Sequence, residues 1–428
     1  MRADRPCRSE YNKKGWQSRI LGCALPSVQG KVFHMKKTII CLLVMGFCLG
    51  LAACSSERTD ETDSTGAESS SAQPSESDGT MTAPESDTVG GEEDTADATV
   101  SKTTYPLDSN TAGVKLLGVR NVPSEQFITC DWSCSGFEMN VTCEAAGDII
   151  FHATANAGCY FRAYIDGAAW GEYYVVGTTP REIVLKDVPA GAHTVRLIKV
   201  TGHTLACAQV TDVCFAGGIS ETAPAQKDLY IEFVGDSICC GWGMIGTKDG
   251  QYTGQDGSLA YPYLVAEAMN ADYSVTALSG QGLLMGNPGM TEGYLMTSPK
   301  RDTSAYDFAR KADIVVINIG TNDYGYRNQY GITSEQFGQA YLAFLQTVRE
   351  KNPECRIICI YNTMNDTWSE ALKGAVDLAG GEASGISLVK FSRAASGHPN
   401  IAEQASYASV LKPVIERVLA EMTSVTVQ

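Results

Sequence analysis

The sequence predicts two folded units in series: an all-β sandwich over residues 104–223, then an α/β domain over residues 228–428 built on a parallel sheet with helices on both faces. Three observations predict it. Apolar and polar residues alternate through the first unit with no long helical period. From Asp228 onward, apolar strands alternate with amphipathic helices. Those strands carry few polar residues, as a sheet covered on both faces requires.

In the first unit, "FEMNVTCEA", "DIIFHATA", "CYFRAYIDG", "REIVLKDV" and "HTVRLIKV" read as strands with one buried face, separated by turns such as "IDG" and "VPAG". The unit carries no aromatic row that would mark a glycan platform, so glycan binding and buttressing of its neighbour stand level. In the second unit, "LYIEFV", "YSVTALSG", "DIVVINIG", "CRIICIY" and "ISLVKF" are strands. The helices are Tyr261–Asn270, the segment opening at Ser334–Glu335–Gln336, "WSEALKGAVDLAG" and Ile401–Met422. Acidic and polar residues at Ser334–Gln336 suit a first helical turn.

The N-terminal quarter reads differently. "KKTIICLLVMGFCLGLAA" places two lysines before a short apolar run, which fits an export signal better than a membrane span. Its end, "LAAC", resembles the lipobox of bacterial lipoproteins. That resemblance implies lipidation of Cys54 after cleavage, a membrane contact through the lipid alone, and display at the outer face of the cytoplasmic membrane. Export signals begin at the N-terminus, so translation is expected to start at Met35, with residues 1–34 an artefact of the assigned start. Residues 55–103 form an acidic Ser/Thr-rich tether without the apolar content to build a core. The chain carries a net charge of −16. Its tether and its folded part are both acidic, which argues against nucleic acid as a partner. Ten cysteines lie beyond Cys54, too sparse for a disulfide scaffold and without clustered histidines. Neither a metal nor an organic cofactor is implied, and the folded unit is expected to be a monomer. Some of those thiols are open to pairing in an exported protein.

The chemistry concentrates where the strands of the second unit end. Ser237 follows the first strand, Ser279–Gly280 the second and Thr321–Asn322–Asp323 the third; His398 follows the last by a few residues. In sheets of this kind the carboxyl ends of the strands form one rim. A serine hydroxyl needs a base, and His398 is the sole histidine of the second unit. An oxyanion would need donors: the backbone N–H groups of Ser237 and Gly280 and the side-chain amide of Asn322 qualify. Asp236 is expected to brace the turn rather than react. Trp242 and Tyr324 are candidates for contact with a sugar ring, weighed evenly against packing roles.

Gly235–Asp236–Ser237, Gly280 in "LSGQGL", "GTND" and His398 in "GHPN" together resemble the four blocks of the SGNH, or GDSL, hydrolase superfamily. The resemblance covers residues 228–428. It implies a flavodoxin-like parallel sheet. The two-unit layout is similar to carbohydrate esterase family 2, which implies a jelly-roll-like first domain and an O-acetylated polysaccharide, xylan- or mannan-like, as substrate. No G-x-S-x-G motif is present. One departure stands out: the superfamily's acid three residues before the histidine is Ala395 here, so a Ser–His dyad is expected. The alternatives are a lipase or thioesterase of the same superfamily, a peptidoglycan O-acetylesterase, and a glycan-binding surface lipoprotein that has lost catalysis.

Overall fold

A computed structural model describes residues 100–426 apart from 249–250, 366–367 and 396. The expected start at Met35, the export signal with Cys54 and the tether up to residue 99 lie outside the described residues. The first strand begins at Thr103, one residue before the expected start of the first unit.

The first unit is a sandwich of two antiparallel sheets. One contains the strands Thr103–Pro106, Ala208–Phe215, Gly147–Ala155 and Arg181–Val188 in that order, with Ile128–Cys130 also paired to Ala208–Phe215. The other orders Gly217–Ile219, Ser135–Cys143, Gly191–Lys199, Cys159–Ile165 and Ala168–Val176, with Val114–Leu117 alongside Ser135–Cys143. Burial alternates residue by residue along Gly147–Ala155 and Cys159–Ile165, as the period-two pattern requires. The buried faces enclose a core of their own around Phe137, Phe151, Phe161, Leu185 and Val210.

The second unit holds a five-stranded parallel sheet: β1 (Tyr230–Gly235), β2 (Asp272–Ala277), β3 (Ile314–Asn318), β4 (Arg356–Tyr361) and β5 (Ile386–Lys390). The spatial order is β2-β1-β3-β4-β5, a doubly wound arrangement. The main helices are α1 (Tyr261–Ala268), α2 (Ser334–Lys351), α3 (Ser369–Leu378) and α4 (Ile401–Thr426). Every residue of β1, β2 and β3 is buried. Successive side chains of β1 serve opposite faces. Ile231 and Phe233 pack with Tyr261 of α1 and Tyr407 and Leu411 of α4. Tyr230 and Val234 share a core with Phe337 and Phe344 of α2 and Leu372 of α3. α2 opens at Ser334 as expected, behind a Thr333 cap: the Thr333 side chain accepts the Gln336 N–H while the Gln336 side chain bonds the Thr333 N–H.

Two short antiparallel ribbons were not anticipated, Trp242–Lys248 with Gln251–Gln255 and Met296–Ser298 with Asp302–Ala305. Their strands are too short and too polar for a period to emerge. The ten cysteines beyond Cys54, left open to pairing by the sequence, are all free thiols here, nine of them buried.

The sandwich covers the exposed edge of the parallel sheet. Beside edge strand β2, Ser133 forms an isolated antiparallel bridge with Val275, and Val119 donates its N–H to the Tyr273 carbonyl at 3.1 Å. An uncovered edge is a template for association with other chains, and here the other domain occupies it. Leu117, Ile198 and Val200 of the sandwich are buried in the same core as Ile231 and Phe233.

Candidate active site

The Ser237 hydroxyl lies 2.8 Å from Nε2 of His398. The residues are 161 positions apart, and the parallel sheet brings them together, since both follow strand carboxyl ends. Ser237 is 5% exposed and starts the tight turn after β1. Cys240 N–H closes on the Asp236 carbonyl at 3.2 Å and Trp242 N–H on the Ser237 carbonyl at 3.1 Å. Two thiols follow the serine, but neither competes as nucleophile. Cys239 and Cys240 are fully buried, and burial pushes both thiols up, Cys240 to about 12.

His398 is half-buried, and desolvation holds its imidazole below the ordinary histidine range. That favours the neutral ring a base must be. Among the described residues no carboxylate bonds to it, in keeping with Ala395 at the expected acid position. Trp242 is half-buried, with its ring centroid 5.9 Å from that of His398. It opens a ribbon beside the pair. Tyr324 goes elsewhere: its ring meets Trp368 edge-on at 6.1 Å, and the Arg327 guanidinium lies 3.8 Å from its centroid.

Gly280 adopts φ +78° at the exposed turn after β2, a conformation that strains any residue with a Cβ. Among the described residues, neither its N–H nor that of Ser237 takes a hydrogen-bond partner. The Asn322 amide nitrogen is engaged, donating to the Gln281 carbonyl at 2.9 Å and to Asp236 Oδ2 at 3.2 Å. The bond to Asp236 is the longer, so an oxyanion would compete with that carboxyl for one N–H.

Asp236 braces the turn as expected: its Oδ1 accepts the Ile238 N–H at 3.0 Å. It is fully buried, and desolvation, reinforced by Asp323, raises it to about 7. Asp323 accepts the N–H groups of Leu283 and Leu284 at 3.0 and 2.7 Å. It therefore ties the β3 rim to the glycine turn after β2. A Cβ at Gly282 would stand 2.4 Å from the Asp323 carboxylate and would have to displace it from those two N–H groups. Gln255, wholly buried, accepts the Gly202 N–H of the sandwich at 2.7 Å and donates to Ser279 Oγ at 3.1 Å. Sequence reasoning missed Gln255, since only the fold places it between two distant turns. Among the described residues no group of three or more His, Cys, Asp or Glu side chains is placed to hold a metal ion.

Residues 233–406 match the model of the GDSL-like lipase/acylhydrolase family. This stretch resembles that family. It contains Ser237, Gly280, Asn322 and His398. The chain is similar to the cellulase/esterase CelE of Acetivibrio thermocellus, 31% identical over 244 residues, which cover 55% of this chain and 29% of that protein. It is also similar to an acetylxylan esterase/glucomannan deacetylase of Cellvibrio japonicus, 27% identical over 199 residues, 41% of this chain and 53% of that protein. The chain thus spans about a third and about half of these relatives. Among solved structures, a family two carbohydrate esterase from Clostridium thermocellum in complex with cellohexaose superposes with a TM-score of 0.65 at 26% identity. The match covers 72% of this chain and 99% of that one, so the sandwich and the α/β domain together resemble the layout of a carbohydrate esterase.

Proposed function

We propose that this protein is a serine esterase that removes acetyl groups from a polysaccharide of the xylan or mannan type. The observation that carries the reading is the 2.8 Å contact between Ser237 Oγ and His398 Nε2 at the carboxyl rim of the parallel sheet. Similarity to an acetylxylan esterase/glucomannan deacetylase supports the substrate class. In this scheme Ser237 Oγ attacks the acetyl carbonyl carbon while His398 Nε2 takes its proton. The N–H groups of Ser237 and Gly280 receive the oxyanion. Asn322 adds a third donor when its N–H turns from Asp236. Collapse breaks the bond to the sugar oxygen, which leaves with the proton from His398. Water, deprotonated by the same imidazole, then attacks acetyl-Ser237; the ester bond breaks, Ser237 Oγ takes the proton back from His398, and acetate is released. Trp242 lies beside His398, where a sugar ring of the substrate would pass.

Ser237→Ala should lower kcat by about 10⁶-fold. Acetate release from acetylated xylan and from p-nitrophenyl acetate measures it, and near-parental turnover on both would refute the assignment. The same proposal has the enzyme acting at the cell surface, anchored through a lipid on Cys54 and carried by the acidic tether as a monomer. Cys54→Ala should shift activity from the membrane fraction to the medium; activity that stays membrane-bound would refute the anchor.

A further inference from the structure

No carboxylate among the described residues orients the His398 ring, yet the ring stands at hydrogen-bond distance from Ser237. The first turn of α4 holds the backbone on either side of it. Glu403 accepts the Ala395 N–H with Oε1 at 2.7 Å and the Asn400 N–H with Oε2 at 2.8 Å. The Asn400 side chain returns the bond, accepting the Glu403 N–H at 3.0 Å. One carboxylate therefore holds the chain three residues before His398 and two residues after it. Charged acceptors on backbone N–H groups make the stronger class of hydrogen bond.

The next residue reaches the other half of the pair. Gln404, wholly buried, donates from Nε2 to the Ile238 carbonyl at 2.9 Å and accepts the Tyr261 N–H with Oε1 at 3.0 Å. Ile238 directly follows Ser237. Tyr407 hydroxyl adds a bond to the Ser392 carbonyl at 2.8 Å. Residues 400, 403, 404 and 407 follow the i, i+3, i+4, i+7 spacing of one helix face.

We propose that Glu403 is a positioning residue for His398, and that with Gln404 it references histidine and serine to a single helical turn. The inference rests on the esterase reading above. It assigns to an acid that never touches the imidazole the placing role that a triad acid performs directly.

The test uses the full folded chain and three variants. Glu403→Ala should lower kcat on p-nitrophenyl acetate by about 10–100-fold, the scale of a misplacement near 1 Å. KM should stay within about twofold of the parent, because ground-state binding is untouched. Labelling of Ser237 by a fluorophosphonate should slow in parallel. Glu403→Gln keeps one acceptor oxygen and should fall between parent and Glu403→Ala. Gln336→Ala removes the equivalent cap from α2, whose partner is Thr333. It should lower the melting temperature but leave kcat unchanged. Parental kcat and labelling in Glu403→Ala would overturn the inference, as would a kcat loss in Gln336→Ala of the same size. Should Glu403→Ala not fold, parental kcat in Glu403→Gln overturns it equally. A Ser237→Ala enzyme that keeps its turnover defeats the esterase reading instead; an inactive Ser237→Ala beside an unimpaired Glu403→Ala defeats only the positioning role.

Discussion

Glu232 and Asp236 sit four residues apart on the same segment, both buried, and they meet opposite fates. Glu232, in the middle of β1, lies at the seam with the sandwich, where Arg120 reaches it. Arg120 Nε is 2.8 Å from Glu232 Oε1, with both side chains at most 2% exposed. Its guanidinium lies 4.2–4.8 Å from the rings of Tyr294, Tyr306 and Phe308 and donates to the Tyr294 carbonyl at 2.8 Å. Thr276 and Tyr294 hydroxyls complete the shell of Glu232, each at 3.0 Å. Asp236, at the rim, has no such cation and is raised to about 7. The seam solves a buried charge by pairing it; the rim leaves one poorly solvated. In the proposed mechanism a cation beside Ser237 would perturb an imidazole that must cycle between neutral and charged, so the rim would gain from lacking one. The seam has no such constraint and uses ions freely: Lys115 with Asp272 at 2.7 Å, and Arg196 with Glu267 at 2.9 Å, also cross it.

Breaking the seam should have the largest effect. Arg120→Ala leaves Glu232 buried without its cation, a defect that costs roughly 3–5 kcal/mol. Chemical denaturation measures this, and Arg120→Met with Glu232→Gln should recover a large part of it. A cost below about 1 kcal/mol for Arg120→Ala would mean that water reaches the seam.

At the rim the expected effect is smaller and depends on pH. A carboxyl whose pKa is raised on folding binds more protons in the native state, so stability falls as pH rises. For Asp236 this stabilisation is full below about pH 4, the unfolded range, and is lost as pH climbs through about 7. The change amounts to a few kcal/mol at most, at about 1.4 kcal/mol per pKa unit. Asp236→Asn should flatten that slope between pH 4 and 8 while Glu232 variants keep it. An unchanged slope in Asp236→Asn would transfer the effect to Asp323, also raised by burial.

The smallest expected effect is a shift in the pH–rate profile. His398 is held below the ordinary histidine range, so the acid limb of kcat/KM should fall below about pH 6.5. Ala395→Asp would supply a carboxylate that favours the imidazolium and should move that limb upward. It would also set a second negative charge close to Glu403, which already bonds the Ala395 N–H, so a fall in kcat should accompany the shift. A limb that does not move would show that position 395 does not address the ring.

Much of this molecule was legible in its sequence. The five parallel strands, the four main helices and the grouping of Ser237, Gly280, Asn322 and His398 at one rim follow from apolar runs ending in polar residues. Those signals are local: a strand covered on both faces must be apolar, and a polar residue at its end needs no partner to be seen. The tertiary structure decided what depends on distant partners. It set Asn322 against Gln281 and Asp236, routed Tyr324 to Trp368, drove Arg120 into the seam, and gave Glu403 and Gln404 the two halves of the Ser237–His398 pair. Glu403 reaches only from Asn400 back to Ala395, but the others act across tens to more than a hundred positions. A hydrogen bond between residues tens to hundreds of positions apart exists only once the sheet has closed the chain between them, so residue type alone could mark the candidate serine and histidine but not the groups that hold them in register.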